Sequence, residues 1–323
     1  MPERAPLTRL GPSVFATLSR KGRGCTEQEE MMTIRPRRSV LYMPGSNARA
    51  IEKARTLPAD GVIIDLEDAV APDAKAAARD QVAAAVKQGG FGSREVFIRV
   101  NGIDTPWHSD DLTAAALAAP DAILVPKVSS SEQLEILGQR LLDMKADRKI
   151  RIWAMIETPA AILNIVDIAA AAKDSETRLA GFVLGTNDLA KETSARLIPG
   201  RAPMLPWLTT CVLAARCYGI AILDGVYNDI GNADGFVAEC EQGRDLGMDG
   251  KTLIHPNQVE PCNRVFSPSE AEIAQARKFI AAFDLPENAD KGAIMLDGRM
   301  VERMHADIAR RTVAIADAIA AQG

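Results

Sequence analysis

Eight short apolar runs, each closing on a turn or a charged side chain, recur along this chain and limit its fold more than any other feature. The runs and their closing residues are SVLYMPGSN with Gly45, GVIIDLEDAV with Glu67, EVFIRVNG with Arg99, AILVPKV with Lys127, IWAMIETP with Glu157, GFVLGTND with Asp188, AILDGVY with Asp224 and KTLIHPNQ with His255. Successive closing positions lie 22 residues apart at the shortest (45 to 67) and 36 at the longest (188 to 224). That is the length of one strand plus one helix. The intervening segments 48–57, 73–87, 110–119, 131–145, 159–172, 207–218 and 233–246 are helical by pattern, and Pro72-Asp73 offers a start signal to the Ala-rich 73–87. Eight such units predict an α/β chain with a closed parallel TIM (β/α)8 barrel over 35–266. An open doubly wound sheet is the alternative, but it rarely runs to eight even units, and no GxGxxG opens the first helix. Hydrophobic residues make up 47% of the chain and aromatics only 4%, so the core must be aliphatic, as strands buried on both faces require.

Charge and cysteine usage narrow the partners. A net charge of −5 with both signs interspersed leaves no footprint for nucleic acid or an anionic membrane. No apolar run approaches the roughly 18 residues of a membrane span. Three histidines and five cysteines (Cys25, Cys211, Cys217, Cys240, Cys262) without a CxxC pair argue against a dedicated zinc site and for a reducing, cytoplasmic setting. Residues 1–34 stand apart: Arg4, Arg9, Arg20, Lys21 and Arg23 face the single acid Glu3 over the first 25 positions. Such a leader reads as a disordered tail, a start assigned too early with Met31 or Met32 as the true beginning, or a transit segment.

In a barrel, the carboxyl ends of the strands converge on one face. Here they would bring together Glu67, Asp68, Arg99, Lys127, Glu157, Asp188, Asp224 and His255, charges that packing does not call for. Glu157 and Asp188 close successive units. On neighbouring strands about 4.8 Å apart they could share one cation, and two hard oxygen donors suit magnesium; otherwise they are separate rim carboxylates pairing with Arg99 or Lys127. Arg99 should point inward at the mouth, to bind a carboxylate or an enolate, or to form a buried ion pair with Glu67, Asp68 or Glu157. Glu67 and Asp68 would stand behind the metal or order their loop, and Asp65 reads as structural. The PGSN turn entering 48–57, with Arg49 and Lys53 near it, suits an anionic cofactor tail. His255 would bind a ligand or cap the turn at Pro256. Beyond the barrel, 267–323 predicts a helix capped near Ser267-Pro268-Ser269, a hairpin turning at Asp297-Gly298 and a last helix. Together these form a lid for the mouth or a docking element for a neighbouring subunit.

LYMPGSN, IIDLEDAV, IRVNG, ILVPKV, MIETP, LGTNDLA, DGVYND and GKTLIHPNQV, in this order and at these spacings, resemble the HpcH/HpaI aldolase and citrate lyase superfamily. The closest likeness is to its citrate lyase β-subunit-like branch of malyl-CoA lyases and (3S)-malyl-CoA thioesterases, over roughly 35–310. The resemblance implies Mg2+ on Glu157 and Asp188, substrate and enolate contacts from Arg99, and coenzyme A beside Tyr42, Pro44 and Lys53. It implies an acyl-CoA substrate such as (3S)-malyl-CoA, cleaved to acetyl-CoA and glyoxylate or hydrolysed to malate and coenzyme A, with lyase chemistry leading. It also implies a homotrimer or homohexamer whose C-terminal lid reaches a neighbour's site. Two departures stand out. Glu302 occupies the lid position where the family commonly has aspartate, leaving it the catalytic acid/base with a longer reach. Asn47 stands where malyl-CoA lyases often carry arginine. A catalytically silent acyl-CoA-binding barrel is the reading of another class.

Overall fold

The computed structural model describes residues 35–322, and the basic leader lies outside them. Eight parallel strands close on themselves in chain order, with β1 (Ser39–Pro44) paired both to β2 (Gly61–Asp65) and to β8 (Gly250–Leu253). Between them stand β3 (Glu95–Arg99), β4 (Ala122–Val125), β5 (Arg151–Ile156), β6 (Leu179–Leu184) and β7 (Ala221–Asp224). Closure gives every strand two neighbours and leaves no sheet edge, so the barrel and not the open sheet is realised.

Alternation along each strand splits the apolar residues into two sets. Val40, Ile63, Phe97, Leu124, Trp153, Val183 and Leu223 fill the barrel interior, where Phe97 meets Trp153 edge-on at 5.2 Å. Leu41, Val62, Ile64, Ile98, Ile123, Ile152 and Ile222 face the surrounding helices. Those are α1 (Ala48–Ala54), α2 (Lys75–Gln88), α3 (His108–Ala118), α4 (Ser131–Asp143), α5 (Pro159–Leu163), α6 (Ile165–Ala170), α7 (Thr186–Thr193), α8 (Leu205–Cys217), α9 (Ala233–Asp245) and α10 (Val259–Phe266). The expected single helix over 159–172 is broken at Asn164, whose φ of −101° and ψ of 10° leave the helical region. Helices α7 and α10, each 8 residues long, lie outside the segments read as helical by pattern. Among the described residues, no helix is long and apolar enough to cross a membrane.

One strand-end charge serves packing. Asp224 follows the inward-facing Leu223, so it turns to the helix side of the wall and is fully buried. Its carboxylate accepts from Arg201 at 2.7 Å and from Lys251 at 3.1 Å, and Lys251 also donates to Glu239 at 2.7 Å. Burial alone would raise the Asp224 pKa; Lys251 and Arg201 override it and bring it below the ordinary value. The expectation that Asp224 reaches the mouth is therefore corrected by strand parity.

After the barrel come α11 (Glu270–Phe283), β9 (Ala293–Leu296), β10 (Arg299–Glu302) and α12 (Arg303–Ala320). Ser269 and Glu272 cap α11 reciprocally. Asp297 and Gly298 both take positive φ, 51° and 75°, as a two-residue type I′ hairpin needs. Phe283, Ile294, Val301 and Ala306 form a small core that joins both helices to the hairpin.

Candidate active site

A cavity of about 330 Å3 opens at the carboxyl ends of the strands. Tyr42, Asp65, Arg99, Glu157, Asp188 and Thr252 are among the residues lining it.

Arg99 is placed by parity and register. It follows Phe97 by two residues, as Asp65 follows Ile63, so both enter the mouth, and the β2–β3 register sets them directly side by side. Asp65 accepts from Arg99 Nε and Nη2, each at 2.6 Å. The same carboxylate accepts the backbone N–H groups of Glu67 at 2.8 Å and Ala69 at 3.0 Å, which fixes it in turn. Arg99 Nη1 lies 2.8 Å from Glu67 and 3.6 Å from Asp68, and the guanidinium rests over the Tyr42 ring at 5.0 Å. Burial works against the charge on Arg99, but Asp65 overrides it and holds the pKa well above its ordinary value. Asp65 is thus the principal anchor of Arg99, ahead of the Glu67, Asp68 and Glu157 partners expected from sequence. Counting by twos from Ile63 and Phe97 reaches it only once the barrel shows that these two face inward.

Glu157 directly follows β5, at the start of α5, where Thr158 accepts from Ala161 N at 3.0 Å. Its carboxylate is buried and accepts the backbone N–H of Lys127 at 2.8 Å. That N–H is aimed by a left-handed Lys127 (φ 56°), a conformation rare outside glycine. Among the described residues Glu157 has no ion-pair partner within 4.0 Å. Burial raises its pKa, and the neighbouring Glu67 adds to the rise, to about 8. The turn after β6 lies flat against this carboxylate: a Cβ on Gly185 would fall 2.5 Å from Glu157 Oε2, so only glycine fits there. Three residues on, Asp188 sits in the first turn of α7 and not at a strand end. Strand β6 stops at Leu184, because the chain must turn at Gly185 to pass Glu157.

Glu157 and Asp188 belong to adjacent units, since β5 pairs with β6, and both line the cavity. Among the described residues no three His, Cys, Asp or Glu side chains gather as a metal cluster. Two hard carboxylates, one of them buried without a cation, fit magnesium, which keeps its other positions for water or substrate oxygens. This arrangement carries a pH prediction. A carboxyl whose pKa is raised from 4.5 to about 8 stabilises the fold in its neutral form. That contribution is complete below 4.5 and is lost as pH rises to about 8. A cation entering there must displace the proton. Magnesium affinity measured by calorimetry should therefore rise about tenfold per pH unit until pH 8 and then level off. In Glu157→Gln, the corresponding loss of stability in EDTA between these pH values should disappear. A flat affinity profile would contradict it.

The acid loop after β2 is held by two side chains to which the sequence assigns no role. Lys75 Nζ donates to the carbonyls of Leu66 and Glu67, at 2.9 and 3.0 Å. Asn101 donates to Leu66 O at 2.9 Å and to Asp111 at 2.6 Å. Glu67 lies between Arg99 and Lys127, whose Nζ is 3.5 Å away, and Asp68 sits at the exposed rim. In the PGSN turn, a Cβ on Gly45 would meet the Asp65 carbonyl at 2.5 Å, and Asn47 caps α1 by accepting from Ala50 N at 3.1 Å. Neither Pro44 nor the exposed Lys53 lines the cavity. His255 accepts from Asn257 N at 3.2 Å, the capping role. Glu302 is exposed at the start of α12 and outside the cavity of its own chain, its N–H donating to His305 Nδ1 at 2.9 Å.

Comparison with known proteins matches the HpcH/HpaI aldolase/citrate lyase family model over residues 38–256. A (3S)-malyl-CoA thioesterase of Cereibacter sphaeroides is 49% identical over 288 residues, 89% of this chain and 97% of that protein. An L-malyl-CoA/beta-methylmalyl-CoA lyase of the same species is 33% identical over 83% of this chain and 91% of the other. Among solved structures, protein CitE from Mycobacterium tuberculosis in complex with magnesium, acetoacetate and coenzyme A aligns with a TM-score of 0.69. Its identity is 27%, over 87% of this chain and 98% of that one.

Proposed function

The chain belongs to the HpcH/HpaI aldolase/citrate lyase family, and on that premise we propose that it is a magnesium-dependent thioesterase acting on (3S)-malyl-CoA. The observation that carries this reading is the pairing in one cavity of Arg99, locked by Asp65, with the buried carboxyl of Glu157. Likeness at 49% identity to a thioesterase, against 33% to a lyase, puts hydrolysis ahead of carbon–carbon cleavage and reverses the order read from sequence.

Glu157 and Asp188 would hold the ion, which when bound polarises the substrate's oxygens and lowers the cost of negative charge there. Arg99 Nη1, held beside Glu67 and Met155 at the cavity, would turn its N–H groups to the acyl group. As water adds to the thioester carbon, Arg99 stabilises the charge that develops on the carbonyl oxygen. The carbon–sulfur bond then breaks, and coenzyme A leaves as a thiol once its sulfur is protonated. The proton lost by the water needs a base. Glu302 of a second copy would take that proton and return it to the departing sulfur, which gives the trimer or hexamer its role; in its own chain Glu302 stands outside the cavity. Lys53 and the PGSN turn, on the outer side of β1, serve the coenzyme A tail.

The same site can run the lyase reaction, so the products decide. Purified protein with (3S)-malyl-CoA should release free thiol without glyoxylate, and EDTA should stop the release. Glyoxylate without thiol would establish the lyase instead, and turnover unaffected by EDTA would refute the metal assignment.

A further inference from the structure

We propose that Tyr42 is the floor of the acyl pocket and that its hydroxyl is the donor that receives the far-end oxygen of a short acyl group. This rests on the site taking such a group, as argued above. Tyr42 follows Val40 by two residues on β1 and therefore points into the barrel, where its ring packs on the filled interior of Ile63, Phe97, Trp153 and their neighbours. It lines the cavity from below and caps the packed interior, so an acyl chain can go no deeper.

The hydroxyl at that depth is underused. Its one protein partner among the described residues is the thioether of Met155, 3.9 Å away on the opposite strand β5, and sulfur is a weak acceptor. Tyr42 is half-buried at the cavity wall, so its O–H is open to a ligand oxygen there, a stronger acceptor than sulfur. The surroundings suit an oxygen-rich ligand, because Arg99 lies over the ring at 5.0 Å and Glu157 lines the same cavity. Tyr42 thus does two separable things: the ring supports Arg99, and the hydroxyl reads the end of the acyl group. The sequence resemblance had placed this residue beside coenzyme A; its position beneath Arg99 favours the acyl end.

Tyr42→Phe separates the two, because phenylalanine keeps the ring under Arg99 and removes only the donor. With magnesium chloride present, free (S)-malate should bind Tyr42→Phe about tenfold more weakly than wild type in calorimetry. The KM for (3S)-malyl-CoA should rise by a similar factor, with kcat falling less than threefold, the signature of lost ground-state binding. The melting temperature should stay within a degree or so, as removal of a poorly satisfied hydroxyl allows. Equal malate affinity in the two proteins overturns the inference, and so does a wild type that binds no malate. A wild type that binds malate more tightly than Tyr42→Phe yet leaves malyl-CoA intact would overturn the thioesterase reading alone.

Discussion

Arg99→Lys is expected to lower kcat/KM for (3S)-malyl-CoA by about 10²–10³-fold, the scale set by loss of a preorganised donor to developing charge. The substitution keeps one positive charge, so a large effect isolates geometry. Asp65 takes two parallel N–H groups of Arg99, leaving Nη1 between Glu67 and the cavity. A lysine ammonium is a point charge without a fork. It can answer Asp65 or reach the substrate, and cannot hold a fixed edge toward both. Asp65→Asn should act in the same direction through the same bond, leaving the guanidinium held by Glu67 and Asp68 alone among its carboxylate partners. Steady-state kinetics on the folded variants checks both. Activity of Arg99→Lys within tenfold of wild type would remove Arg99 from the chemistry.

Lys251→Met should cost about 3–5 kcal/mol of stability, the range for breaking a buried ion pair by removing one partner. For a chain of this size that amounts to a fall in melting temperature of roughly 4–8 °C. Lys251 is fully buried and joins Asp224 to Glu239. Burial opposes its charge, and Asp224 and Glu239 keep it protonated with a raised pKa. Without it, Arg201 is the one cationic partner left to Asp224 among the described residues, and Glu239 loses its closest one. Thermal unfolding followed by circular dichroism gives the number; a change below about 1 kcal/mol would place the cluster among ion pairs of no net consequence.

Much of the architecture is legible in the sequence because it depends on local period. The eight units, the aliphatic core, the Asp297-Gly298 turn and the Ser269 cap each follow from residues within one element and its flanks. Glu157 is legible for the same reason: an apolar run ends on it, and helix-start chemistry follows at once. Asp188 is less so. Its reading as a strand end fails because β6 stops at Leu184, where the chain turns at Gly185 against the Glu157 carboxylate, a contact between two units that no window along the chain contains. Lys75 carries no signal and Asn101 only its place in IRVNG, since their work is to hold the carbonyls of a loop that only the packed barrel brings to them.

Asp65 and Asp224 mark the division most clearly. Each is the last residue of its strand, β2 and β7, and the sequence alone determines that an acid stands there at the carboxyl end of a barrel strand. It does not determine what the acid does. Asp65 shares the parity of Ile63 and enters the mouth to lock Arg99, whereas Asp224 is offset by one from Leu223 and passes through the wall to Lys251 and Arg201. Parity at a strand end is set by which residues the closed barrel takes into its interior and by the register of each strand against its neighbours. Both are properties of the tertiary structure, and a shift of one residue exchanges the cavity for the core.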